Sequence, residues 1–177
     1  MASTLKINNL DTASGTTITV PTGKQIIGTD TNSIKAPGMV IQSVHSDTST
    51  WTPRATTTST SYTSSGHTLA ITPKYSNSIL LHSYLVSAHN NTAGSYSYVV
   101  LNKSGVGNLM DTESANGGKQ AWSCQGITNI KDIAGTTNAI TYTMHFRAGS
   151  TGTSYLGWSS SFSNQNSCSW SIIEIAQ

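Results

Sequence analysis

Charge is what this chain has least of. Only 9% of its 177 residues are Asp, Glu, Lys or Arg, where a soluble domain carries roughly a quarter. The nine basic residues form no cluster, which excludes the basic footprint that binding to nucleic acid requires. Cysteine is nearly missing: Cys124 and Cys168 stand far apart, and without an export signal they are expected as small buried side chains rather than as a disulfide. Long apolar runs are missing too. No window approaches the ~20 apolar residues of a membrane-spanning helix, and Met1–Lys6 opens without the apolar core of a signal peptide. Synthesis in the cytoplasm and no membrane insertion are the expectations.

Serine and threonine fill the space that charge leaves. The 28 Ser and 27 Thr make nearly a third of the chain, and their preferences, Thr for strands and Ser for turns, set a β-rich bias. Hydrophobic residues still reach 36%, enough for a core, and the length suits one domain or one domain with an appendage.

The apolar pattern divides the chain near Pro37-Gly38. Before it come short dashes, Leu5-Lys6-Ile7, Ile18-Thr19-Val20 and Ile26-Ile27, separated by turn residues. A segment of under 40 residues with so few large side chains cannot offset its ordering entropy alone, so residues 1–38 are expected to form a stem stabilised by copies of itself. Three copies can close Ile18, Val20, Ile26 and Ile27 around one axis.

After Gly38 the period is two. Met39–Val44 reads as a strand, and the polar run His45–Ser61 as a loop plus an edge strand. His67, Leu69 and Ile71 oppose Thr68, Ala70 and Thr72 before Pro73. Ile79–Ala88 and Tyr96–Lys103 read as a hairpin across His89–Ser95, and Tyr155–Phe162 with Cys168–Ile175 as a last pair. Ile140, Tyr142, Met144 and Phe146 alternate with Thr141, Thr143, His145 and Arg147, and Cys168, Trp170 and Ile172 share a face. No window has a helical pattern with caps. The fold expected is all-β: a trimeric stem (1–38) and an antiparallel β-sandwich or jelly-roll head (39–177) of about eight strands.

Several stretches are familiar in order. Leu5-Lys6-Ile7-Asn8-Asn9-Leu10-Asp11-Thr12-Ala13-Ser14-Gly15, Thr16–Gly23, and Gly28-Thr29-Asp30 leading into Ile34–Gly38 resemble the N-terminal region of short fibre proteins of marine tailed bacteriophages. Thr58–Tyr62, Leu69–Pro73, Ser78–Leu81 and Ile172–Ala176 resemble their distal β-sandwich; residues 105–135 lie outside the resemblance. It implies a homotrimer on the virion, joined to other virion proteins through its N-terminal stem. The function implied is a tail fibre that binds a bacterial surface glycan or protein; a capsid decoration or head fibre and a lectin-like module are the alternatives.

The residues offer little chemistry. There is no G-x-S-x-G, no phosphate loop at Gly23-Lys24-Gln25, and no H-x-H or H-x-x-x-H pair. His82 and His145 fall in expected strands and would bind a metal only if repeated about a threefold axis; as inward or surface histidines they need none. Asp111 and Glu113 have the spacing of a carboxylate pair but sit in a glycine-bearing polar run, 105–120, that reads as a solvated connection. No enzyme activity, cofactor or metal is expected. Receptor contact is assigned to that connection, through Asn108, Asp111, Glu113 and Asn116, with Trp122 as the exposed aromatic beside it.

Overall fold

The computed structural model describes residues 20–25, 27, 36–46, 55–117, 124–157 and 168–177. For residues 110–117, 124–129 and 168 that description concerns the backbone. The chain divides into two compact units, Met1–Ile34 and Lys35–Gln177. In the first, Lys24 N–H donates to the Pro21 carbonyl at 3.0 Å, and Gly23 supplies the positive φ of 79° that this turn needs at its third position. Val20 and Ile27 are exposed there, Ile27 by 67%. Ile18 and Ile26, expected to close the stem, lie outside the described residues.

The second unit is all-β, with ten strands and no helix among the described residues. They are β1 Val40–Ser46, β2 Ala55–Thr57, β3 Thr63–Ile71, β4 Ile79–Asn90, β5 Tyr96–Lys103, β6 Gly107–Gly117, β7 Cys124–Ile133, β8 Ile140–Ala148, β9 Ser154–Leu156 and β10 Cys168–Ile175. One sheet runs β1-β10-β4-β9-β2 with β7 also paired to β4; the other runs β3-β8-β5-β6. Every pair is antiparallel, and four of them are nested: β1 with β10, β3 with β8, β4 with β7, and β5 with β6.

The inward residues of both sheets share one core. Leu80, Tyr84, Val86, Trp170 and Ile172 from the larger sheet meet Ile71, Val99, Leu101, Tyr142, Met144 and Phe146 from the smaller. The alternation in β8 holds: Ile140, Tyr142, Met144 and Phe146 are buried while Thr141 faces solvent. In β3 the alternation survives a bulge. Ser64 pairs with His145 and Thr68 with Thr143, and Gly66, at φ 78°, absorbs the extra residues. The Ser65 hydroxyl then donates to the Met144 carbonyl at 2.7 Å, replacing a ladder bond.

Three expectations are corrected. β4 and β5 are not a hairpin: the turn at 91–95 carries the chain from one sheet to the other, so β4 pairs with β10 and β7, and β5 with β8 and β6. β9 and β10 do not pair with each other, since β9 joins the far end of β4 and β10 runs along its first eight residues. The supposed connection at 105–120 is largely the edge strand β6, entered by a tight turn in which Val106 N–H donates to the Lys103 carbonyl at 3.0 Å.

Register also bears on the cysteines. Cys124 pairs with Ser87 and Cys168 with Val86, on opposite edges of β4. Two interstrand spacings, about 10 Å, separate them, beyond the ~7 Å that a disulfide tolerates.

Strand directions give the domain two distinct ends. Gly38, Ile71, Ile79, Lys103, Ile140 and Ile175 lie at the end where the chain enters. There Gly38 N–H donates to the Ala176 carbonyl and Ala176 N–H to the Met39 carbonyl, both at 2.9 Å. Ser46, Thr63, Asn90, Tyr96 and Ala148 lie at the other end.

Candidate functional site

Alternation in β5 and β8 decides what the smaller sheet shows to solvent. With Ser97, Val99, Leu101 and Lys103 inward, Tyr96, Tyr98 and Asn102 face out from β5, where Val100 is fully covered; Arg147, His145, Thr143 and Thr141 face out from β8. Register sets these in rows. Tyr98 lies opposite Arg147, and Thr68, Thr143, Asn102 and Asn108 cross four strands in line. Asn102 Nδ2 donates to Asn108 Oδ1 at 2.8 Å, closing that row.

At the end remote from chain entry the face becomes aromatic. The Arg147 guanidinium carbon lies 3.8 Å from the centroid of the Tyr98 ring and 5.1 Å from that of Tyr62, two cation–π contacts worth about 0.5–1 kcal/mol each at a surface. Tyr96 stands next to Tyr98, centroids 6.2 Å apart and planes tilted by 46°, and is 48% exposed. Gly149 makes this packing possible: its N–H donates to the Tyr96 carbonyl at 2.8 Å, and a Cβ there would stand 3.1 Å from the Tyr98 ring. Beneath lies a neutral buried network, in which the Ser97 hydroxyl donates to Ser154 Oγ at 2.8 Å and Ser154 Oγ–H to the Arg147 carbonyl at 3.2 Å. The backbone that carries the aromatic cluster is therefore held from inside. His145, half-buried in the same face, has its imidazole pKa lowered by burial.

The other polar clusters serve the fold. Asp132 Oδ2 accepts from Lys103 Nζ at 2.8 Å and from the Tyr142 hydroxyl at 2.6 Å, and Lys103 also donates to the Ile133 carbonyl at 2.7 Å. Burial, together with Asp132, pushes the Tyr142 phenol well above its usual range. An open groove of about 310 Å³ runs past Lys103 between the turns at 104–106 and 134–139, but the ammonium is already committed to the clamp beneath it. Glu174, fully buried, accepts from Gln42 Nε2 at 2.6 Å and from the backbone N–H groups of Lys74 and Tyr75 at 2.8 and 3.2 Å, which pins the β3–β4 connection.

The residues singled out from the sequence fall in two places. Asn108, Asp111, Glu113 and Asn116 all lie on β6, which borders the outer face, while Trp122 lies outside the described residues. Asn108 pairs with Asn102 and Asn116 with Ser97. Between them the ladder jumps from Leu101↔Leu109 to Val99↔Ser114, so four residues including Asp111 and Glu113 stand opposite Val100 alone. His82 and His145, considered as metal ligands, separate. His82 is fully buried against Tyr142, centroids 4.4 Å apart, which removes it from any intersubunit axis. Among the described residues no three His, Cys, Asp or Glu side chains gather as a metal site would require.

Sequence reasoning missed Tyr62, Tyr96, Tyr98 and Arg147. The signal was present as Tyr96-Ser97-Tyr98, two aromatics at period two, and as Arg147 on the polar side of its strand. Only the β5–β8 register brings them together. The chain matches no protein-family model and no curated protein.

Proposed function

We propose that this chain is a non-catalytic, homotrimeric fibre of a tailed-phage virion, with residues 1–38 as the attachment stem and a jelly-roll head that binds glycans on the host surface. The observation that carries the reading is the pair of interleaved strand orders, β1-β10-β4-β7 and β3-β8-β5-β6. A four-deep antiparallel hairpin rolled into two sheets has this order, and viral capsid and lectin domains use it. The resemblance at both ends of the sequence supports the virion assignment, and the aromatic, nearly uncharged outer face supports adhesion to sugars. Three weak sites per fibre, repeated over several fibres, gain avidity through effective concentration, so no single head need bind tightly.

Apolar surface left open on the single chain supports the trimer. On the outer side of the larger sheet, Val40, Ile175, Ile79 and Ile133 form one row across four strands, with Val40 59% and Ile133 46% exposed. With Val20 and Ile27 exposed in the first unit, the chain carries apolar surface that further copies would cover. Light scattering at micromolar concentration is expected to give three times the 18.7 kDa chain mass; a monomer would overturn the trimer. A pull-down with host surface glycans tests adhesion. Immunogold labelling of intact particles separates a tail fibre from a capsid decoration.

A further inference from the structure

We infer that the edge of the Arg147 guanidinium is a carboxylate subsite, and that the glycan taken by this face is an acidic one, bearing a uronic or sialic acid ring. The inference rests on the adhesive reading above and names its ligand. The guanidinium packs on the Tyr98 ring, whose centroid lies 3.8 Å from its central carbon, with Tyr62 at 5.1 Å, so two aromatic contacts hold the group on this face. No described residue accepts a hydrogen bond from that side chain or pairs with its charge, although the group is half-buried. A guanidinium held by aromatic contacts, with no described acceptor on its donors, is pre-organised for the two parallel bonds a carboxylate accepts, and so loses less entropy in making them.

Its surroundings narrow the ligand further. Apart from the half-buried His145, the described neighbours on the face, Thr68, Thr143, Asn102, Asn108, Tyr96 and Tyr98, are neutral, so Arg147 meets no anionic competitor among them. A phosphate site gathers several cations or a nest of backbone N–H groups. Here a single planar fork stands beside a half-exposed ring. Tyr96 offers the C–H face of a sugar a surface to stack on, one ring away from the guanidinium. A pyranose ring with a carboxylate on its rim reaches the guanidinium and the Tyr96 ring together, and the Asn102–Asn108 row, four residues or about 13 Å further along the strand, would meet a neighbouring sugar of the same glycan.

Calorimetric titration of the full chain with oligogalacturonate and with an oligosialate, each compared with its methyl ester, tests this. The acids are expected to bind about tenfold to a hundredfold more tightly than the esters, the range of a charge-assisted bidentate contact. Arg147→Lys, which keeps the charge and loses the fork, should bring acid and ester to nearly the same affinity; Tyr96→Ala should weaken both together. A melting scan of each variant confirms that the head is folded. Equal binding of acid and ester, a ratio that survives Arg147→Lys, or glucose 1-phosphate bound as tightly as the acids overturns the carboxylate subsite and leaves glycan adhesion standing. If neither acid nor ester binds, while wild type, Arg147→Lys and Tyr96→Ala coat host cells equally, the glycan reading fails and the subsite with it.

Discussion

His82 carries two ring nitrogens into a place that gives neither a partner. Both are buried without a hydrogen bond, between Tyr142 and Trp170, and burial lowers the imidazole pKa to about 4, against a smaller opposing pull from Asp132. His67, packed on Trp170, is lowered to about 4 by burial as well. Because the folded values lie below the unfolded 6.5, the unfolded chain binds more protons between those limits. Stability should be full above about pH 6.5 and fall toward pH 4, by on the order of 3 kcal/mol for His82 and by less for the more solvated His67, as urea melts across that window would show. His82→Phe should flatten the dependence and raise the melting temperature, most of all at pH 5. The Lys103–Asp132 pair behaves oppositely under mutation. Lys103→Met strands the carboxylate beneath Tyr142 and should cost about 3 kcal/mol in denaturant unfolding, part of which Lys103→Met/Asp132→Leu should restore. None of this could be read from residue identities. Alternation put His82 inward or outward with equal ease, and Lys103 reads as a surface lysine until register places Asp132 beside it.

Elements were legible where period two was unbroken, and illegible where the chain changed sheet. β3, β8 and β10 follow directly from His67-x-Leu69-x-Ile71, Ile140-x-Tyr142-x-Met144-x-Phe146 and Trp170-x-Ile172. A short polar turn reads the same whether it closes a hairpin or crosses a core, so the sequence presents β4 and β5 as a hairpin although they lie in different sheets. The crossing is a lock of side chains. Asn90 Oδ1 accepts from Thr92 N–H at 2.9 Å, and Asn91 Oδ1 from Thr153 N–H at 2.8 Å, around Gly152 at φ 83°. A Cβ on Gly152 would run into Thr92 Oγ1 and stand 2.6 Å from Asn90 Oδ1. Gly152→Ala should therefore cost at least about 2 kcal/mol and loosen both turns in hydrogen exchange. β6 hid for another reason: its bulge interrupts any alternation, and its glycines resemble a loop. Deleting Asp111, Thr112 and Glu113 leaves one residue opposite Val100, as a regular ladder requires. If the aromatic cluster is the binding surface, this variant should keep its affinity for oligogalacturonate; a loss would return the site to the bulge of β6.

On the scale of the whole molecule, the first strand of the head pairs with the last. β1 gains its neighbour only once β10 has been placed against β4, so the native sheet closes late and over a long loop. Refolding should be slow for the domain's size, in the millisecond-to-second range or beyond, and stopped-flow fluorescence of Trp170, buried under that closure, would report it. Sequence patterning had implied an all-β chain with a poorly furnished beginning; which strands meet depends on long-range pairing that no local window contains. The closure also fixes where anything can be attached. Gly38 and Ala176 are hydrogen-bonded neighbours, so whatever continues past Gln177 leaves the head beside the point where the chain came in. A reporter or affinity tag appended there would sit at the root. One meant for the far end must be spliced into an exposed turn such as Ala93-Gly94, where the strand frame would carry it outward, a few residues from Tyr96.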